Sequence, residues 1–163
     1  MSTLAVIRFE NETGADAMRD EMGKLQKLEM IKLEDAAVVV RKSDGKVKVQ
    51  QATSLVGAGA LGGAFWGMLI GLLFFVPWLG LAVGAASGAI AGKFGDVGID
   101  DNFIKQVGSS IQPGQSALFV LVRESTTDRV IEDLKPFGGE IIYTNLSAED
   151  EAKLKAAFGA VEA

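Results

Sequence analysis

From Val49 to Gly92 the chain has no Asp, Glu, Lys or Arg, and this uncharged stretch of 44 residues constrains the fold more than any other feature. Elsewhere the composition is ordinary: 23% of the 163 residues are charged and 48% are hydrophobic, so the apolar character is concentrated in one place. The stretch is about twice the roughly 20 residues that one membrane span needs. It suits two helices and a turn. Val76-Pro77-Trp78 marks the turn, because proline is tolerated at the first position of a helix, where its missing N–H would be unpaired anyway. A first helix from about Ser54 to Phe75 would reach roughly 33 Å, and a second from Pro77 to about Phe94 roughly 27 Å.

The glycines in these helices form rows. Gly59, Gly63, Gly67 and Gly71 are four apart, and so are Gly80, Gly84, Gly88 and Gly92. Three linked small-xxx-small steps, occurring twice, let backbones approach closely where lipid provides little hydrophobic drive for pairing. The rows face each other within one hairpin or meet a neighbouring subunit, and the two arrangements are compatible. Leu61, Phe65, Leu69, Leu72 and Phe74 on the first helix, and Leu81, Val83 and Ile90 on the second, are expected to face lipid or form ridges. Lys46 and Lys48 precede the hairpin and Lys93 follows it, with Trp78 beside the tip. The positive-inside bias then puts both flanks, and both termini, on the cytoplasmic side, with Trp78 at the far interface.

The flanks have helix and strand periodicities. Leu4–Phe9 reads as a strand. Thr13, with Asp16 three residues on, has the spacing of a capping box and opens an amphipathic helix carrying Met18, Met22 and Leu25. Ala36–Arg41 is a second strand, Ser43-Asp44-Gly45 a tight turn, and Lys46–Gln50 an alternating, half-exposed strand. After the apolar block, Asp100 and Asp101 open a helix bearing Phe103, Ile104, Val107 and Ile111, which Pro113-Gly114 ends. Ala117–Val122 is a continuous apolar run, read as a central strand buried on both faces. A helix beginning near Ser125, a strand at Glu140–Tyr143 and a final helix from Ser147 complete the pattern. Each flank contains a β-α-β unit, for which right-handed crossovers between parallel strands are the rule. Interleaved, the units give an α+β fold, a ferredoxin-like βαβ-based sandwich interrupted by a glycine-zipper transmembrane helical hairpin. The division is 1–51 for the first half of the α/β domain, 52–94 for the hairpin and 95–163 for the second half.

Composition excludes several chemistries. Cysteine and histidine are both absent, which removes disulfides, thiol nucleophiles and every Ser-His or Cys-His mechanism. The net charge is −5, and residues 93–163 hold all of it, with seven basic and twelve acidic side chains. Nucleic-acid binding is therefore disfavoured. Asp96, Asp100 and Asp101 could bind a divalent cation, but helix capping accounts for them better, because they lack the ligand density of a calcium loop. Arg123 and Glu124 end the central strand beside a possible ligand pocket, with nothing that singles them out. Lys42, Lys46 and Lys48 fit either anionic head groups or protection of a strand edge.

The run Gly98-Ile99-Asp100-Asp101-Asn102-Phe103-Ile104-Lys105, then Pro113-Gly114, then Ser116–Val122, resembles the bacterial DUF1269 family of predicted membrane proteins. Leu134-Lys135-Pro136-Phe137-Gly138-Gly139 and the glycine-patterned hairpin fit the same resemblance, which covers roughly residues 3–158. It implies a membrane assignment and an unknown function, and no catalytic residue. The expected role is non-enzymatic: a homo-oligomeric protein of the bacterial inner membrane that organises or shapes the bilayer. Its expected partners are itself and lipid, with no cofactor and no metal. A glycine-zipper channel and a membrane-tethered ligand sensor are the alternatives.

Overall fold

A computed structural model describes residues 3–51, 69, 73, 101–125, 132–144, 152 and 156. In chain order the elements are β1 (Thr3–Phe9), α1 (Gly14–Lys27), β2 (Ile31–Arg41), β3 (Val47–Gln51), α2 (Asp101–Ser110), β4 (Gln115–Ser125), a 3-10 turn (Lys135–Phe137) and β5 (Glu140–Thr144). The strands form one sheet in the order β3-β2-β4-β1-β5. Every neighbouring pair is antiparallel, with Val6 opposite Phe119 and Val38 opposite Leu118 at the centre.

Strand alternation sorts the core into two layers. Ala5, Ile7 and Phe9 of β1, with Leu118 and Val120 of β4, pack beneath α1, which contributes Ala15, Met18, Met22 and Leu25. Leu4 and Val6, with Ala117, Phe119 and Leu121, face the other way, beneath Phe103 and Val107 of α2 and Ile111 just after it. The apolar run of β4 is thus buried on both faces at the centre of the sheet.

β2 begins earlier than its apolar residues suggest and carries a bulge, the register slipping between Lys32, Leu33 and Asp35. The extra residue reverses the alternation. Ile31 and Leu33 lie in the α1 layer, whereas beyond the bulge the odd-numbered Ala37 and Val39 lie in the α2 layer. Asp35, opposite Leu121, is fully buried, and its Oδ1 accepts the Ala36 N–H at 2.9 Å.

The cap of α1 also differs from expectation. Thr13 is the N-cap residue by backbone, but its side chain makes no capping bond. Asn11 Oδ1 does the work, accepting the N–H of Gly14 at 2.6 Å and of Thr13 at 3.1 Å. Ser116 adds a tertiary cap, accepting the Ala15 N–H at 3.2 Å while donating to the Asn11 carbonyl at 2.7 Å.

The expected fold, a ferredoxin-like sandwich interrupted by a transmembrane hairpin, is corrected to a larger antiparallel sheet without a membrane-crossing helix among the described residues. First, β4 lies between β1 and β2, antiparallel to both, as interleaved units require, but β3 adds a fifth strand at the edge, so the sheet is larger than expected. Second, no helix among the described residues is long and apolar enough to cross a membrane. Leu69, expected to face lipid or form a ridge, is 0% exposed, and Leu73 is 8% exposed. Both pack into the α2 layer of the sheet's core. Part of the uncharged stretch therefore buries its apolar surface against protein.

Candidate functional site

The α2 layer is where the uncharged stretch meets the rest of the chain. Phe103 and Val107 are one helical turn apart and fully buried, and Ile111 continues their stripe. The Phe103 ring stands edge-on to Tyr143 at 4.6 Å and to Phe119 at 6.5 Å between centroids, which anchors the first turn of α2.

The last turn of α2 is weaker by composition. Gly108, Ser109 and Ser110 are poor helix formers, and the hydroxyls of both serines bond back to carbonyls of their own helix. This turn carries no basic residue to meet the negative end of the helix dipole. The sheet supplies two. Arg8 on β1 donates through Nη1 to the Ser110 carbonyl at 2.8 Å, and Arg41 at the end of β2 donates through Nη1 to the Ile111 carbonyl at 2.7 Å. A third tether comes from the helix, where Gln106 Nε2 donates to the Ile142 carbonyl of β5 at 2.6 Å. Arg8 is itself oriented by Glu140, Nη2 to Oε2 at 2.7 Å, the two side chains being 15% and 36% exposed.

Gly108 brings α2 against the uncharged stretch. A Cβ at that position would stand 2.6 Å from the Leu73 carbonyl oxygen, so the absent side chain is what permits the approach. The Nη donors of Arg8 and Arg41 and the Gln106 amide go to backbone carbonyls and to one carboxylate, and such an arrangement anchors a helix.

Of the residues singled out from sequence, Lys46 and Lys48 are described. Both are exposed, while Val47 and Val49 between and after them pack against the core. Gly59, Gly63, Gly67, Gly71, Gly80, Gly84, Gly88, Gly92, Trp78 and Lys93 lie outside the described residues, as do Asp96 and Asp100; of the helix expected from Ser147, Ala152 and Ala156 are described, and both are helical and exposed. Asp101 is the first residue of α2. Among the described residues no group of three metal-binding side chains occurs.

Arg8, Arg41, Gln106 and Asp35 were not marked by any motif. A signal existed for the arginines. Arg8 is in register with Leu4 and Val6, and Arg41 with Ala37 and Val39, so alternation alone turns both toward a buried face.

A family model described as a protein of unknown function, DUF1269, matches residues 60–159, more than half of the chain and a shorter span than the resemblance implied. No curated protein and no solved structure matches the chain.

Proposed function

The chain belongs to the DUF1269 family, and from that premise we propose that it is a non-enzymatic, homo-oligomeric protein with a structural role, whose sheet domain holds the uncharged stretch for self-association through its glycine rows. The burial of Leu69 and Leu73 in the sheet's core carries this reading. In the helix that the sequence periodicity predicts there, Gly67 and Gly71 stand two residues from these leucines, about 200° around the axis. A helix of that period, with its leucines on the sheet, would present the glycine row to a second copy. Association through strand edges is obstructed. Lys46 stands exposed just before β3, Lys48 and Gln50 stand exposed on it, and the Gln106 side chain occupies a β5 carbonyl.

Light scattering on the full chain tests the proposal. The wild type is expected to be oligomeric. The Gly67→Leu, Gly71→Leu double variant is expected to be smaller, with unchanged circular dichroism. A monomeric wild type at micromolar concentration, with and without detergent, would refute it.

The β2–β3 hairpin favours a second reading, contact with an anionic membrane surface on the cytoplasmic side. Lys42, Lys46 and Lys48 are all exposed there, close in sequence to the uncharged stretch. Basic side chains near such a surface contribute about 1 kcal/mol each. Co-sedimentation with vesicles containing phosphatidylglycerol, absent with phosphatidylcholine alone and lost on changing the three lysines to glutamine, is the expected result. Equal binding to both vesicle types would count against it.

A further inference from the structure

We propose that α2 is a clip on the uncharged stretch: the guanidiniums of Arg8 and Arg41 hold its last turn shut, and the opening of that turn and the release of Leu73 from the sheet are one event. This rests on the anchoring role argued above and adds its regulation.

The two halves of α2 are held by different forces. Its first turn is fixed by Phe103, wedged against Phe119 and Tyr143. Its last turn has the low helix propensity of Gly108, Ser109 and Ser110, and there the burial of Val107 and Ile111 is supplemented by polar tethers from β1 and β2. One tether reaches solvent, because Glu140, which orients Arg8, is 36% exposed. Water and salt compete there as they cannot at Phe103. The helix therefore opens from its C-terminal end and hinges near its first turn. The side-chain-free face of Gly108 lies on the Leu73 carbonyl, so a displaced last turn removes the wall against which Leu73 is packed. Leu73 and Val107 belong to one core layer, through which the proposed coupling runs.

Hydrogen exchange read by mass spectrometry on the full chain tests the coupling. In Arg8→Gln, amides of residues 105–112 and of peptides spanning Leu69 to Leu73 are expected to exchange about tenfold faster or more, together, since a charged hydrogen bond is lost from a locally opening unit. Amides of Ala117–Val122 keep their wild-type rates. Arg8→Lys, with one ammonium for two acceptors, falls between. Raised salt accelerates the same two regions in the wild type. Faster exchange in α2 with the Leu69–Leu73 peptides unchanged would overturn the coupling. So would a uniform increase at every amide, or no change anywhere. If Arg8→Gln loses its circular dichroism signal, Arg41→Gln and Arg8→Lys carry the same comparison. Light scattering on the same samples separates the two claims: a monomeric wild type with coupled exchange refutes the oligomeric function and leaves the clip standing.

Discussion

Placing a methyl group at position 108 sets two opposed effects against each other. Alanine is favoured over glycine in a helix interior by about 1 kcal/mol, so propensity alone makes Gly108→Ala stabilising. The added Cβ, however, would stand 2.6 Å from the Leu73 carbonyl oxygen and 3.5 Å from its carbon. Even a favourable carbon–oxygen contact needs about 3.3 Å or more. Because the obstructing atom is backbone, relief requires α2 or Leu73 to move, and overpacking of this kind costs about 1–3 kcal/mol. Moving α2 also stretches the bonds from Arg8 to Ser110 and from Arg41 to Ile111, now 2.8 and 2.7 Å. The upper half of the overpacking range applies, and the expected net loss is about 1–2 kcal/mol. Urea denaturation of the full chain, followed by circular dichroism, measures it. Ser109→Ala is the control: it lies in the same turn, is exposed, gains propensity and meets no obstruction, so its effect should stay within about 0.5 kcal/mol. A rise in the Gly108→Ala midpoint would refute the close approach of Leu73 to α2.

Other substitutions test the remaining structural arguments. Leu69→Ala should destabilise the sheet domain by about 2–5 kcal/mol, whereas a leucine facing lipid or water would leave its unfolding midpoint unchanged. Glu29→Gly should raise the midpoint, by about 0.5–1 kcal/mol, because Glu29 adopts φ 60° after the last turn of α1, where a non-glycine residue is disfavoured. A lower midpoint would show that the glutamate side chain outweighs its backbone. Ser116→Ala should cost about 1–3 kcal/mol by removing the hydroxyl that joins Ala15 to Asn11. Its exchange signature should be concentrated in the first turn of α1, and uniform loss of protection would argue against the tertiary cap.

Local chemistry made most elements legible. Leu4–Phe9, the run Ala117–Val122 and the amphipathic stripe of α1 announced themselves by period, and Ser43-Asp44-Gly45 announced a turn in which Gly45 has φ +90°. The full extent of β2 was hidden, because its first half mixes Lys32, Glu34 and Asp35 with Ile31 and Leu33. A bulge explains that mixture, since it changes which parity of residue is buried partway along the strand. The capping group was missed for a related reason: Thr13 has the usual spacing, but Asn11 reaches two backbone N–H groups from further upstream. Of the strand neighbours, the β2–β3 hairpin was legible from its turn, and the rest were not legible from period. Period shows that a strand has two buried faces, and does not show that β4 slots between β1 and β2.

The misreading of Leu69 has a more general cause. Hydropathy measures what leaving water is worth, and apolar surface gains about the same whether it enters lipid or a protein core. The destination depends on what else needs covering. Here the sheet is buried on both faces and needs two covers. α1 has 14 residues and buries four of them in a row, Ala15, Met18, Met22 and Leu25. α2 has 10 residues, about 15 Å of helix, against a sheet whose strands β2 and β4 each run 11 residues, about 36 Å. It cannot cover its face alone. Leu69 and Leu73, four residues apart, supply a further ridge of the missing layer. A short cover on a long face is thus a demand for more apolar chain, and the uncharged stretch meets part of it.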